Sequence, residues 1–200
     1  RDAEMKRALL VVLALIIGAA FGVGSGFVVL DNGQLLGRTN HDYWFGNRNA
    51  GSVAADPYTR GIVAKIGLLA LNRSESNYFH RYKDENGLQL REGCAYELTG
   101  GDLPTRWWSI TAYADDDFLP VNGQRAFSAD ATQMVRGEDG RWVVRMAADR
   151  ADAANWISTE NAGDFSLALR MYNPDESARA DESTIAFPTI RTITCGEDAP

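Results

Sequence analysis

The longest hydrophobic pattern in the chain is an uncharged run near its start. Ala8 to Leu30 are 23 consecutive residues without a charged side chain. As a helix rising about 1.5 Å per residue, this run is about 34 Å long, which is enough for the roughly 30 Å hydrocarbon core of a bilayer. The run therefore predicts a transmembrane helix over residues 8–30.

A cleaved signal peptide is the competing interpretation of the same run. Met5-Lys6-Arg7 precedes the apolar stretch, and small residues occur from Gly18 to Gly26, as in a signal sequence. The stretch is longer than the roughly 7–15 apolar residues of a typical signal core. We therefore expect the helix to be retained as a single-pass anchor.

The charges on either side of the run predict its orientation. The whole chain has a net charge of −7. Residues 1–30 carry a net charge of +1, from three basic and two acidic side chains, so residues 31–200 carry a net charge of −8. The positive-inside rule places residues 1–7 in the cytoplasm and the remainder beyond the membrane. An acidic domain gains nothing from an anionic lipid surface, so we expect it to stand off from the bilayer.

Small residues recur every four positions along the predicted helix, at Ala14, Gly18, Gly22 and Gly26. They share one helical face, and close approach of a second helix along such a face drives association in lipid. The pattern predicts packing against an integral membrane protein or complex, or against a second copy of this chain in a homo-oligomer. The alternative is that glycine is simply frequent in membrane helices.

Residues 31–55, punctuated by Gly, Asn and Asp, predict a connector. Its aromatic side chains, Tyr43, Trp44 and Phe45, either lie at the membrane interface or pack under the following domain.

A short helix is predicted after the connector. Asp56 is suited to the N-cap and Pro57 to the first helical position. Ile62, Ile66 and Leu69 continue the helical spacing, to about residue 71.

Beyond this helix the hydrophobic period changes to two, which is typical of strands. Phe165, Leu167, Leu169 and Met171 give the clearest alternation. Similar patterns cover residues 94–98, 106–113, 142–146 and 189–194, with turn signals between them such as Asn122-Gly123 and Glu138-Asp139-Gly140. Residues 56–200 are therefore predicted to be mainly β, an antiparallel jelly-roll-like β-sandwich with one short soluble helix.

The two cysteines, Cys94 and Cys195, both follow the membrane helix, where an oxidising compartment favours a disulfide. The bond would close a loop of about 100 residues, for a nominal ~4–5 kcal/mol. A metal site lacks further ligands at suitable spacing, and a nucleophilic cysteine lacks a nearby His.

Several short motifs between residues 56 and 172 resemble one known family. They are Asp56-Pro57-Tyr58-Thr59-Arg60, Arg106-Trp107-Trp108-Ser109-Ile110-Thr111-Ala112-Tyr113, Glu138-Asp139-Gly140, Asn155-Trp156 and Leu169-Arg170-Met171-Tyr172. In order and spacing the chain is similar to the domain-of-unknown-function 1214 family, in particular its short bacterial members with one N-terminal membrane helix. The resemblance implies a jelly-roll sandwich in the bacterial envelope, hence a periplasmic domain anchored in the inner membrane. It implies no reaction, cofactor or catalytic residue.

The composition and motifs exclude several function classes. A net charge of −7 disfavours nucleic-acid binding. His41 and His80 are the only histidines, and no GxSxG, HExxH or CxxC motif is present, so no catalytic residue, metal site or cofactor is predicted. Asp115-Asp116-Asp117 has the wrong spacing for a calcium loop. Paired carboxylates that meet only in three dimensions are left open.

One candidate ligand site is predicted from polar and aromatic residues on the strands. Aromatic faces beside an Arg and an Asn suit recognition of a sugar or a carboxylate. The candidate residues are Trp108, Tyr113, Asn155, Trp156, Arg170 and Tyr172. The alternative is that the aromatic side chains fill the core and Arg170 pairs with a sheet neighbour.

Two functions fit these features. The first is a membrane-anchored periplasmic accessory or scaffolding subunit, whose helix packs against a larger complex such as a respiratory or photosynthetic one. The second is a tethered periplasmic module that binds a small ligand or carbohydrate, or a hydrolase.

Overall fold

The computed structural model describes residues 1–32, 38–65 and 71–196. Its helices are α1 (Asp2–Asn32), α2 (Pro57–Lys65), α3 (Glu176–Ala180) and a 3₁₀ helix (Glu182–Thr184). Its strands are β1 (Arg38–His41), β2 (Trp44–Asn47), β3 (Ser76–Arg81), β4 (Cys94–Gly100), β5 (Thr105–Tyr113), β6 (Ser128–Asp130), β7 (Trp142–Ala147), β8 (Trp156–Ser158), β9 (Ser166–Pro174) and β10 (Thr189–Cys195). We call residues 38–196 the β domain.

The strands form two sheets, as the prediction of a mainly β fold requires. A six-stranded sheet has the order β1-β2-β3-β9-β5-β6, and a four-stranded sheet has the order β10-β4-β7-β8. All pairs are antiparallel except β7–β8, which is parallel. The prediction of a mainly β sandwich is therefore confirmed. The short α3 and the 3₁₀ helix are additional to the single soluble helix that the sequence predicted.

The core lies between the sheets because alternate residues of each strand face inward. In β9, Leu167, Leu169 and Met171 are fully buried, whereas Arg170 and Tyr172 on the opposite face remain partly exposed. The predicted alternation of this strand is confirmed. In β5 the even-numbered residues Trp108, Ile110 and Ala112 are the ones buried between the sheets, and the odd-numbered residues lie on the outer face.

Two tryptophans join the sheets across the core. The rings of Trp108 on β5 and Trp142 on β7 have centroids 4.9 Å apart. Trp142 also donates its indole N–H to the carbonyl of Gly101. A Cβ at Gly100 would clash with the Trp142 ring, so glycine is required there by packing rather than by backbone conformation.

Residues 38–47, predicted as part of the connector, form the β1–β2 hairpin of the six-stranded sheet. Trp44 is fully buried and donates its indole N–H to the Pro188 carbonyl at 2.7 Å. Of the two positions expected for this aromatic residue, packing under the domain is the one the structure shows.

The helix α2 begins where the sequence predicts. Asp56 accepts hydrogen bonds from the backbone N–H groups of Tyr58 and Thr59 and from the Thr59 hydroxyl. These bonds satisfy N–H groups that have no intrahelical partner, which is the role of an N-cap. The predicted continuation through Ile66 and Leu69 lies outside the described residues, and residue 71 is not helical.

The predicted disulfide between Cys94 and Cys195 is present. The two residues are register partners at the ends of β4 and β10, so the bond fastens the last strand to the four-stranded sheet. The described residues contain no free cysteine.

Candidate functional site

The six residues of the predicted ligand site lie in three separate places. Trp108 is buried between the sheets and belongs to the core. Asn155 and Trp156 lie at β8, the edge of the four-stranded sheet. Tyr113, Arg170 and Tyr172 lie on the outer face of the six-stranded sheet. The sequence could not separate these groups because the pairing of β5 with β9, and of β7 with β8, is set by long-range packing.

Asn155 has a structural role. Its amide N–H groups are donated to the carbonyls of Val135 at 2.7 Å and Val143 at 2.9 Å, and its oxygen accepts from the Val135 N–H at 2.8 Å. These bonds use most of the capacity of the side chain. Asn155 therefore ties the loop after β6 to the edge of the four-stranded sheet.

A groove lies between the free edges of β6 and β8, where the two sheets approach each other. We call it the edge groove; its volume is about 740 Å³, within the range of small-molecule sites. Trp156 lines the groove, with its indole N–H fixed by the Ala147 carbonyl at 3.0 Å. Gln124 and Gln133 line it as well, and neither side chain makes a hydrogen bond within the described part of the chain.

The outer face of the six-stranded sheet carries the most polar of the three groups. Arg170 donates one N–H to the Tyr113 hydroxyl at 2.7 Å and another to the Thr111 hydroxyl at 3.4 Å. Its guanidinium carbon lies 5.4 Å from the centroid of the Tyr113 ring. Tyr172, on the same face, packs instead against Trp107, with ring centroids 5.3 Å apart.

His80 belongs to this outer face, and the sequence interpretation missed it. Residues 76–81 form β3, which pairs with β9, and the register puts His80 opposite Ala168. Burial, together with the nearby positive charge of Arg170, lowers the pKa of His80 to about 4. Residues 76–81 show no alternation of polar and apolar side chains, since Asn77 and Phe79 share the buried face, so the sequence offered little signal for this strand.

The predicted helix-packing residues Ala14, Gly18, Gly22 and Gly26, which we call the glycine face, all lie on α1. α1 is long and apolar enough over Asp2–Leu30 to cross a membrane, a test that a signal sequence also passes. A Cβ built at Gly18, Gly22 or Gly26 meets no atom within 4 Å. Within the described residues, the glycine face therefore has no packing partner.

The described residues contain no group of three or more His, Cys, Asp or Glu side chains that could hold a metal ion. The second histidine, His41, lies 3.3 Å from a carboxylate oxygen of Glu182. Glu182 is buried and also pairs with Arg73 at 3.1 Å, so it joins the β1–β2 hairpin to the segment before β10.

Comparison with solved structures shows a similar fold in a protein from Vibrio parahaemolyticus. The VPA0106 protein from Vibrio parahaemolyticus is 21% identical with a TM-score of 0.58, over 70% of this chain and 36% of that protein. An uncharacterised protein from Burkholderia cenocepacia is 15% identical with a TM-score of 0.46, over 72% of this chain and 32% of that protein. The chain thus spans about a third of the length of either protein.

No curated protein matches the sequence. The family model described as "Protein of unknown function (DUF1214)" matches residues 75–176, which run from the residue before β3 to the first residue of α3 and contain β3 to β9. This match covers half of the chain and agrees with the short motifs found in the sequence. The chain belongs to the DUF1214 family.

Proposed function

We propose that this protein is a membrane-anchored accessory or scaffolding subunit. Its α1 would pack through the glycine face against a larger membrane protein complex, and its β domain would lie on the periplasmic side of that complex. The observation that carries the proposal is the exposure of α1. Its large apolar side chains, from Ile17 at 47% to Phe21 at 75%, are uncovered by the rest of the described chain.

The chemistry of α1 favours a lipid environment with a protein partner. Its one hydroxyl, on Ser25, donates to the Gly22 carbonyl at 3.0 Å, so it adds no unsatisfied polar group in lipid. The bare backbone along Gly18, Gly22 and Gly26 lets another helix approach closely enough for extensive dispersion contacts. Glycine lowers helix stability by up to about 1 kcal/mol in water, so a packing role accounts for residues that a simple anchor does not need.

The disulfide supports placing the β domain in the periplasm. Disulfides persist in oxidising compartments and are rare in the cytosol. The basic residues that precede the apolar run favour a cytoplasmic N-terminus, which puts the β domain on the opposite side. Both observations point in the same direction.

The proposal is tested by capture from native membranes. Full-length protein with a C-terminal tag is extracted in mild detergent, and co-purifying proteins are identified by mass spectrometry. We expect a stoichiometric membrane protein that is lost in Gly22→Leu. The matched control is Gly24→Leu, which adds the same side chain about 200° further around the helix. Equal recovery of the partner with both variants, or no partner with the wild-type chain, would refute the proposal.

A tethered module that binds a small ligand or carbohydrate is the second candidate, and the edge groove favours it. Trp156 offers an aromatic surface, and Gln124 and Gln133 offer unused amide groups, a combination suited to a sugar. Calorimetric titration of the full chain with soluble oligosaccharides tests this function. Binding that is lost in a Gln124→Ala/Gln133→Ala double variant would support it, and no heat of binding with any oligosaccharide would exclude the sugar.

A further inference from the structure

The strand register gathers four polar side chains on the outer face of the six-stranded sheet. Ala168 on β9 is opposite His80 of β3 on one side and Thr111 of β5 on the other. Arg170 is two residues further along β9, and Tyr113 is two residues beyond Thr111. Successive residues of one parity share a face, so all these side chains lie on the same side of the sheet. We call Arg170, Tyr113, Thr111 and His80 the Arg170 cluster.

The guanidinium of Arg170 extends along the sheet past Ala168 to reach the cluster. Arg170 is the register partner of Ser109, yet it hydrogen-bonds to Thr111 and Tyr113, two and four residues further along β5. The methyl group of Ala168 leaves room on this face for such a path. The guanidinium is thereby held over the centre of the sheet, half-buried, instead of extending into solvent.

Arg170 has no carboxylate partner among the residues that the structure describes. None of the ion pairs in the described part of the chain includes it, and its two hydrogen bonds go to neutral hydroxyl oxygens. By contrast, Arg73, Arg136 and Arg145 each pair with a carboxylate. A partly desolvated cation without an anion is costly. Arg170 differs from Arg81, which is buried and also in none of these ion pairs, because Arg81 donates to backbone carbonyls whereas Arg170 donates to two hydroxyls.

The cluster holds more hydrogen-bond donors than acceptors. A guanidinium has five N–H groups, of which Arg170 uses two. The hydroxyls of Tyr113 and Thr111 accept those two bonds, so their own hydrogens remain available. The Nε2 atom of His80 is buried and has no hydrogen-bond partner in the described residues. A ligand with several hydrogen-bond acceptors would give hydrogen-bond partners to all of these groups at once.

From this arrangement we propose that the Arg170 cluster is a binding site for a small carboxylate. One carboxylate oxygen accepts from the free N–H groups of Arg170, and the other accepts from Tyr113 and from His80 as its Nε2–H tautomer. The planar fork of a guanidinium matches a carboxylate in geometry. With a neutral His80 the cluster carries a single positive charge, which a monoanionic group balances and a phosphate dianion exceeds. The site is centred on β9, two strands away from the edge strand β6, and depends on neither proposed function.

The test is calorimetric titration of the full-length chain in detergent micelles. The probes are sodium acetate and sodium succinate, with neutral succinamide as the matched analogue and sodium chloride at equal ionic strength as the salt control. We expect saturable binding of the two carboxylates and none of succinamide. Saturable binding of succinamide with the affinity of succinate would overturn the proposal, as would no binding of either carboxylate.

Variants locate the site. Arg170→Gln should weaken carboxylate binding about tenfold or more, because a charge-assisted bond is lost, and Tyr113→Phe should weaken it less. Arg106→Gln removes the same charge from an exposed position on β5 and should leave binding unchanged. If Arg170→Gln fails to fold, Arg170→Lys, which keeps the charge and loses the fork, should still weaken binding. If Arg106→Gln and Arg170→Gln weakened carboxylate binding equally, the binding would depend only on the net charge of the protein, and the proposed site would be refuted.

Discussion

The α1 helix and the β domain differ in how far their apolar side chains are buried. In the β domain, large apolar residues such as Leu98, Ile110 and Leu169 are fully buried between two sheets. In α1, an equally apolar sequence is left uncovered, with Leu15 at 68% and Phe21 at 75% exposure. The β domain therefore supplies its own non-aqueous environment, whereas α1 must obtain one from elsewhere.

Because of this difference, we expect substitutions in the two regions to affect different properties of the protein. Changes in the β domain core act on folding stability, because each side chain has partners that are fixed in place. Changes on α1 should act on association and leave folding of the β domain untouched, because the helix contributes almost nothing to that core. The expected effects on the stability of the β domain therefore run from several kcal/mol down to zero.

The largest effect is expected at the junction of the two sheets. Trp142→Ala removes the ring that packs on Trp108 and leaves a cavity, which should lower the free energy of unfolding by about 3–5 kcal/mol. Denaturant unfolding followed by tryptophan fluorescence and circular dichroism measures it. Trp107→Ala is the matched control, because Trp107 lies on the outer face and its loss should cost far less. Similar losses for the two variants would contradict the assignment of the core.

The second-largest effect on the free energy of unfolding is expected from loss of the disulfide. Replacing Cys94 and Cys195 together with alanine should lower the free energy of unfolding by about 2–5 kcal/mol, since the bond closes a loop across a sequence separation of 101 residues. The comparison is made in denaturant without reductant. Adding reductant should destabilise the wild-type chain by a similar amount and leave the double variant unchanged; a response of the double variant would point to another cause.

His80 should make the β domain weaker in mild acid. Burial holds its folded-state pKa at about 4, below the roughly 6.5 of an unfolded chain, so the unfolded state binds a proton first as the pH falls. The stability that neutral His80 contributes is present above pH ~6.5 and is lost between pH ~6.5 and ~4, by at most about 3 kcal/mol.

The measurement is the free energy of unfolding against pH for the wild-type chain and His80→Gln. The glutamine variant should show a shallower decline across that window, and the difference between the two curves isolates His80 from His41. Parallel curves would mean that His80 is not buried as described.

The smallest effect on the β domain is expected from α1. Gly22→Leu should leave the unfolding midpoint of the β domain unchanged, because no atom lies within 4 Å of the added Cβ. Thermal unfolding in detergent micelles checks this, with Gly24→Leu as the matched substitution. A clear shift of the midpoint with either variant would show that the middle of α1, around residues 22–24, packs on the β domain, and it would remove the contrast between the two regions.

The sequence predicted those parts of the fold that local patterns determine. The alternation of Leu167, Leu169 and Met171, the N-cap at Asp56 and the cysteine pair are confirmed because each depends on neighbours in sequence or on a single pairing. The strands β1, β2, β6 and β8 were not predicted, since three or four residues carry too little periodicity, and β3 was not predicted because its six residues do not alternate in polarity.

The candidate site shows the same division. Arg170 and Tyr113 were chosen as residue types suited to a ligand, and the structure brings these two within hydrogen-bond distance. Trp108 was placed with them although it faces the opposite side of β5, toward the core. His80 was missed because only the pairing of β3 with β9 puts it beside Ala168. Side-chain type was readable from the sequence, whereas strand register was not.

The central claim is that the glycine face of α1 contacts another membrane protein, and photocrosslinking in native membranes tests it most directly. A photoreactive phenylalanine analogue is placed at Ala14, the first residue of the glycine face, and separately at Ile16, which lies about 200° around the helix from Ala14. The account predicts a covalent adduct with one membrane protein other than this chain from position 14, and none from position 16. Equal adducts from both positions, or an adduct only with a second copy of this chain, would contradict it.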